Sequence, residues 1–274
     1  MKKMKRRVGL WVNRSKIDTE SLIPQLVNWF NGQGWETVTE WQEQGLDDVD
    51  FVISLGGDGT VIQAAREAAA HNVPVLGVNY GKLGFLCDVE RDEVYSALKK
   101  VLKKEYNIEE RLMLTASLIK AGEKKEYTVL NDAVFLRDCV DSLVTLQVKL
   151  SGEPISSPPS DGLIIATPTG STAYSLSAGG SIVSPDVEAI LITPLAAHAL
   201  SSRPMIVSNK ERIDIILTRG NGCRVTFDGR HTHTLEPGDS VRVVSSSIKA
   251  RFIRLGGRSF PRIVREKLRD RWHE

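Results

Sequence analysis

The stretch Val49 to Ala70 constrains this chain more than any other. An apolar run, Phe51 to Leu55, stops at Gly56-Gly57-Asp58-Gly59-Thr60, after which Val61, Ile62, Ala64, Ala65, Ala68 and Ala69 recur at helical spacing. The pattern predicts a strand, a glycine turn and a helix. Three glycines in four positions predict a backbone that uses positive φ and admits a ligand where a Cβ would clash. The helix turns its unpaired N–H groups and positive dipole end toward the glycines, which favours a phosphate there. Asp58 has two readings. It is either the N-cap of the helix or, because a carboxylate repels phosphate unless it takes a proton or a metal, a group that does chemistry.

The flanking sequence places this turn in an alternating α/β domain. Val8 to Val12 is a continuous apolar run suited to a strand buried on both faces. Ile23, Leu26, Val27 and Phe30 form one helical stripe that ends at Asn31-Gly32, and Trp35 to Thr39 and Pro74 to Val78 read as further strands. Alternation of this kind predicts a doubly wound sheet, with ligands at the carboxyl ends of its strands. Asn79-Tyr80-Gly81-Lys82-Leu83-Gly84-Phe85-Leu86 is a second glycine-punctuated loop at that edge; Phe85 either walls the crevice or anchors the loop in the core. Val94, Leu98, Val101 and Leu102 predict a helix whose Lys99, Lys100, Lys103 and Lys104 face solvent.

From about Glu105 the period changes. Leu112 to Lys120, Tyr127 to Leu136, Leu143 to Leu150, Ile213 to Thr218, Arg224 to Phe227 and Ser240 to Val244 are short and β-branched, which predicts a mostly antiparallel β half. Within it, Ser160-Asp161-Gly162 and a strand from Leu163 to Ala166 lead into a loop rich in Thr, Ser and Gly that runs to Gly180. Its short helix would be capped by Thr169 or Ser171. Such hydroxyls suit a polar planar ligand on which Tyr174 can stack, although an elaborate linker would use the same residues. Asn131-Asp132 ends or interrupts an otherwise apolar strand and must find partners in a turn or in a ligand. Asp228-Gly229 is a hairpin signal, and His231 and His233 share a strand face with no third metal ligand nearby.

Composition narrows the partners. Across 274 residues, 36 basic and 34 acidic side chains nearly cancel, which argues against nucleic acid or a membrane surface, although Lys2 to Arg7 and Arg251 to Arg271 are locally basic. No apolar run reaches membrane-spanning length, and Val8 to Val12 is too short for a signal-peptide core. The 3 cysteines, Cys87, Cys139 and Cys223, lie far apart and predict free thiols in a reducing cytoplasm.

Taken in order, Gly56 to Thr60, Asn79 with Leu83 to Leu86, Asn131-Asp132, Asp161-Gly162 through Thr167-Pro168-Thr169-Gly170-Ser171-Thr172-Ala173-Tyr174 to Gly179-Gly180, Ser202-Arg203-Pro204 after His198, and Asp228-Gly229 resemble the bacterial NAD kinases. The glycine turn is shared with diacylglycerol, sphingosine and phosphofructo-kinases, whereas the run from Asp161 to Gly180 is particular to NAD kinases. The resemblance implies transfer of a phosphoryl group to the 2′-hydroxyl of the adenosine ribose of NAD, with ATP, or inorganic polyphosphate, as donor and Mg²⁺ bridging the donor phosphates. Its metal ligands stay unassigned. Asp58 would be the general base, and Gly56, Gly57, Gly59 and Thr60 the phosphate loop. Asn131, Thr172, Ala173, Tyr174 and Ser177 would hold the adenine, Asp132 the ribose and Asp161 the nicotinamide amide. Gly59, Phe85, Ser175, Leu176, Asp228 and Arg230 would complete the NAD contacts. The resemblance further implies an α/β domain over 1–104, a β-rich domain over 105–255, a segment 256–274 packed back on the first domain, and a cytoplasmic homodimer or homotetramer.

Three positions depart from the family pattern. Asn131-Asp132 replaces the commoner Asn-Glu, Pro159 stands where many relatives carry arginine, and Arg230 stands where many carry glutamine. Arg230 is thus expected to supply the charge that Pro159 lacks. The other readings are a lipid or sugar kinase of the same superfamily, or a sensor that binds NAD(P) without turnover.

Overall fold

The apolar runs of the first hundred residues become adjacent strands because helices cover both faces of the sheet they form. The computed structural model describes residues 6–12, 19–39, 45–81, 84–139, 142–155, 158–196, 202–220 and 222–268. Lys2, Lys82, Leu83, His198 and Arg271, named above from the sequence, lie outside them. The chain divides into two units, 1–110 with 250–274, and 111–249.

The first unit runs β1 (Arg7–Val12), α1 (Thr19–Gly32), β2 (Glu36–Val38), β3 (Phe51–Gly56), α2 (Asp58–Ala70), β4 (Val75–Asn79), β5 (Val89–Glu90), α3 (Val94–Leu102) and β6 (Asn107–Arg111). Every residue of β3 and β4 is buried, as a strand covered on both faces requires. Strand β1 pairs in parallel with β2 on one side and β3 on the other, and β3 pairs with β4. The chain therefore reverses its direction of travel across the sheet between β1 and β3, and the glycine turn follows β3 at that switch point. Leu10, Leu26, Phe30, Ile53, Leu76 and Leu98 centre the core.

The second unit contains β7 (Leu114–Lys120), β8 (Glu123–Val129), β9 (Asp132–Arg137), β10 (Thr145–Leu150), β11 (Glu153–Pro154), β12 (Gly162–Ala166), a one-turn helix α4 (Tyr174–Ser177), β13 (Ala189–Leu195), β14 (Met205–Ser208), β15 (Ile213–Arg219), β16 (Cys223–Phe227), β17 (His231–Leu235) and β18 (Ser240–Ser245). They form two antiparallel sheets of six strands, ordered β11-β10-β15-β18-β7-β8 and β14-β13-β12-β9-β16-β17. Leu114, Val148, Ile215 and Val243 from one sheet meet Phe135, Ile165, Ile192 and Val225 from the other in a common core. The chain then returns to the first unit as β19 (Ala250–Arg254) and α5 (Phe260–Lys267).

One strand run and the bounds of the first unit differ from expectation. Tyr127 to Leu136 is not one strand: it breaks at Leu130-Asn131, and β8 and β9 belong to different sheets. Asn131-Asp132 marks this crossing. Strands β6 and β19 join the first sheet beyond β4, so the first unit extends past 104 and regains the chain at 250 rather than 256. Both strands are rich in charge (NIEER and ARFIR), which hides the apolar alternation that would have announced them.

Candidate functional site

Chemistry-bearing residues gather in two places, one in each unit. In the first unit the glycine turn differs from expectation in its backbone. Gly56, Gly57 and Gly59 are absent from the positive-φ residues, and Gly57, the N-cap, is extended at φ −97° and ψ −176°. What demands glycine at 56 is space, since a Cβ there would lie 2.5 Å from Thr60 Oγ1 and 2.7 Å from Thr60 Cβ. A Cβ on Gly57 or Gly59 would meet nothing within 4 Å, so the surface over the start of α2 is bare backbone. The N–H groups of Asp58 and Gly59 stand in the first helical turn, where no intrahelical acceptor exists. Such a surface accepts an anion.

Asp58 is not the N-cap but the first helical residue, and its side chain makes no cap bond. Instead it reaches the second loop. Its Oδ2 accepts from the Phe85 N–H at 2.8 Å and its Oδ1 from the Leu86 N–H at 3.1 Å. The loop is shaped by Asn79, which is buried: its amide donates to Gly81 O at 3.2 Å and Glu90 Oε2 at 2.9 Å, while its Oδ1 accepts from Gly81 N–H at 3.1 Å. Phe85 is half-buried outside the main core, with Lys267 Nζ 5.7 Å from its ring centre. Cys87 is buried behind the turn, and burial first, then Asp58 and Glu90, push its thiol up to about 12, so it is not a nucleophile.

In the second unit three loops meet at one end of a sheet: the crossing at 130–131, the loop after β12, and the turn between β16 and β17. Asp228 organises them. Its carboxylate accepts from the N–H groups of Leu130 (2.9 Å), Asn131 (2.7 Å) and Asp132 (3.2 Å). Asp228 and Gly229 have φ of 47° and 65°, and Arg230 N–H bonds Phe227 O at 3.0 Å, a tight turn with both central residues at positive φ inside the three-residue loop that joins β16 to β17. Beside it the Asp132 side chain is buried, and burial first, then the Asp228 charge, raise its carboxyl to about 7. Asn131 Oδ1 is buried without a hydrogen-bond partner, the situation a ligand donor would relieve.

Most hydroxyls of the 167–180 loop are spent on the loop itself. Thr167 Oγ1 donates to Leu130 O at 2.5 Å and accepts from Gly170 N–H at 3.1 Å; neither Thr169 nor Ser171 caps a helix through its side chain. Ser171 Oγ donates to Pro168 O at 2.6 Å, and Ser175, fully buried, bonds Thr193 Oγ1 at 2.8 Å. Thr172 bonds Thr169 O at 3.2 Å, while Thr172, Ala173 and Leu176 are half-buried and Ser177 is exposed. Tyr174, at 43% exposure, presents the ring expected for stacking.

Asp161 carries a partner the sequence did not reveal. Arg137 Nε lies 2.6 Å from its Oδ1, so the cation at Asp161 is Arg137, while Arg230 and Pro159 are both exposed. Arg137 has no local motif to mark it; only the β9–β12 pairing brings it there. His233 Nε2 bonds Tyr127 OH at 2.5 Å, and Tyr127 stacks on Phe227 at 4.4 Å, so these side chains pack an edge of the unit. Among the described residues no three His, Cys, Asp or Glu side chains group as metal ligands.

Comparison with known proteins covers both units. Residues 3–106 match the profile of the ATP-NAD kinase N-terminal domain and residues 130–255 that of the ATP-NAD kinase C-terminal domain. The NAD kinase of Heliobacterium modesticaldum is 43% identical over 227 residues, covering 82% of this chain and 80% of its own. That of Thiobacillus denitrificans is 39% identical over 277 residues, 95% of this chain and 96% of its own. Among solved structures, yeast NADH kinase complexed with NADH superposes with a TM-score of 0.87 at 25% identity over 97% of this chain and 88% of that one. An NAD kinase from Archaeoglobus fulgidus in complex with ATP gives 0.76 at 24% identity, over 91% and 94%, and shares the fold.

Proposed function

We propose a mechanism that starts from one fact: the chain belongs to the NAD kinase family, and it transfers the γ-phosphoryl group of ATP to the 2′-hydroxyl of the adenosine ribose of NAD to give NADP. The observation that carries the assignment of roles is the carboxylate of Asp58, held by two amides at the mouth of an anion-binding turn. A carboxylate has about four acceptor positions. Two are engaged by Phe85 and Leu86, which leaves Asp58 able to accept the 2′-hydroxyl proton. A carboxylate is a weak base, so that proton moves late, as the new O–P bond forms, and alignment contributes as much as basicity.

The donor's phosphates lie on the bare backbone of Gly56, Gly57, Gly59 and Thr60, where N–H groups stabilise charge without reorganising. Because this contact reads phosphates and not a base, inorganic polyphosphate is a second donor. Mg²⁺ fits as an ion that arrives with the donor. The described residues offer no three-ligand cluster, and an ion that keeps waters and phosphate oxygens needs only one or two carboxylates. When bound it neutralises phosphate charge.

Recognition falls to the second unit. Tyr174 stacks on the adenine, and Asn131 Oδ1 takes its amino hydrogen. Asp132 accepts from the ribose. Asp161, oriented by Arg137, holds the nicotinamide amide. Thr172, Ala173, Leu176, Ser177 and Arg230 are the second unit's remaining NAD residues, and Gly59 and Phe85 the first unit's, while Ser175 and Asp228 act from behind by fixing α4 and the 130–132 amides. The edge strand β14 exposes Met205 and Ile206, an apolar border that suits pairing of copies into a homodimer or homotetramer. No helix among the described residues is long and apolar enough to cross a membrane, and we place the enzyme in the cytoplasm.

The test is NADP formation by the purified protein with NAD, Mg²⁺ and ATP, repeated with polyphosphate and with NADH. Product with NAD and either donor is expected. Bound dinucleotide with no product from any combination would overturn the reading in favour of a sensor.

A further inference from the structure

Asp58 is held by amides that no regular element holds. Phe85 and Leu86 lie between β4 and β5, outside any strand or helix. Their position has to be fixed from elsewhere, and the contacts that fix it come from the returning segment. Arg254 Nη1 donates to Leu86 O at 3.0 Å, across 168 positions of sequence. The same guanidinium is pinned by Nε to Glu109 Oε2 at 2.9 Å and lies 5.4 Å from the Phe252 ring centre. One residue on, Leu255 N–H bonds Asp88 Oδ2 at 2.7 Å and secures the far end of the loop. Lys267, in the last turn of α5, places its ammonium over the Phe85 ring.

Each of the two residues that give an amide to Asp58 is thus held from behind by one cation of the returning segment. From this juxtaposition, and resting on the reading of Asp58 as proton acceptor, we propose that Arg254 and Lys267 are positioning residues for the reaction: they fix Leu86 and Phe85, whose amides aim the Asp58 carboxylate. Arginine is suited to position 254 because one rigid planar fork serves two acceptors at once, Glu109 and Leu86 O, whereas a lysine would offer a single point charge with freely rotating donors and no fixed geometry. Neither cation needs to touch NAD or the donor.

The experiment is a double-substitution cycle on the full-length enzyme. Arg254→Gln is expected to lower kcat about tenfold or more, because displacing a reacting group by an ångström costs up to ~100-fold, while KM for NAD changes less than about twofold, since binding common to ground and transition states is retained. Arg254→Lys should recover part of the loss, and Lys267→Gln should give a smaller loss of the same kind. In an Asp58→Asn background neither substitution should lower kcat further, because the group through which they act is already gone. Unchanged kcat in Arg254→Gln, a loss that multiplies with that of Asp58→Asn, or a loss confined to KM would each overturn the proposal. Melting temperatures are recorded for every variant; if Arg254→Gln does not fold, the Lys267→Gln and Arg254→Lys cycles decide. A wild-type enzyme that makes no NADP would instead overturn the reading beneath it.

Discussion

Replacing Gly84 with alanine perturbs the Asp58 carboxylate without replacing a titratable group. A Cβ on Gly84 would overlap Asp58 Oδ1 and lie 2.6 Å from its Cγ and 3.0 Å from its Oδ2. Carbon atoms at ordinary contact stand about 3.5 Å or more apart, so the carboxylate or the loop must move by about 1 Å. Gly84 is not among the positive-φ residues, so alanine brings no backbone strain there and the effect is steric. A shift of that size separates Asp58 from the Phe85 and Leu86 amides and, on the proposed mechanism, misdirects it from the 2′-hydroxyl. The expected loss in kcat is about 100-fold, equivalent to ~2.7 kcal/mol of barrier, with KM for NAD nearly unchanged. Steady-state NADP formation measures it. Gly32→Ala, where an added Cβ meets nothing within 4 Å, serves as the control and should behave as wild type. A Gly84→Ala enzyme with kcat within about twofold of wild type would refute the claim that the amide-held position of Asp58 matters.

Three further outcomes follow from the second unit. Asp132, raised to about 7 by burial and by Asp228, holds its proton more tightly folded than unfolded, so its contribution to stability falls as pH rises from its ordinary range near 4 toward 7 and is fully unfavourable above that; Asp132→Asn should therefore melt above wild type at pH 8 and converge with it near pH 4. Asp228→Ala removes the acceptor for three amides, each bond to a charged group being worth roughly 1.5–3 kcal/mol, so urea unfolding should show a loss of several kcal/mol. Tyr174→Ala removes the proposed stacking platform, worth about 1–3 kcal/mol per base, so KM for NAD should rise roughly five- to 150-fold while kcat holds, as measured with ATP saturating.

The strand, glycine turn and helix around Asp58 were legible because apolar periodicity and glycine spacing are local. So was the antiparallel half, through short β-branched runs broken by turn residues. What escaped was set by partners distant in sequence. Of the two reasons the sequence offers for the turn's glycines, positive φ fails, since none of the three uses it, while space holds for Gly56, where the Thr60 side chain excludes a Cβ. Asp58 was legible as an unusual carboxylate, but not as one gripped by Phe85 and Leu86, because the loop that brings them is 27 and 28 residues away. Asn131-Asp132 is legible as a break in the run from Tyr127 to Leu136, but its cause is not: Asp228, 97 positions after Asn131, captures three consecutive amides. Arg137 and Arg254 look like ordinary strand-end cations until sheet pairing sets them against Asp161 and Leu86. The hydroxyls of 167–180 suit a ligand or a linker by composition, and the structure spends Thr167, Ser171 and Ser175 on fixing the loop to itself and to Leu130 and Thr193.

The central claim is that Asp58 takes the proton of the 2′-hydroxyl, and the most direct measurement is on Asp58→Asn: NAD affinity by calorimetry beside the single-turnover rate of phosphoryl transfer. Asparagine keeps the shape of the side chain and one acceptor for the two amides but cannot accept the proton. The account predicts NAD affinity within a few-fold of wild type and a transfer rate lower by about 100-fold or more, the usual scale of general-base catalysis. Transfer at a rate comparable to wild type with NAD still bound would contradict it and leave Asp58 as a holder of the loop.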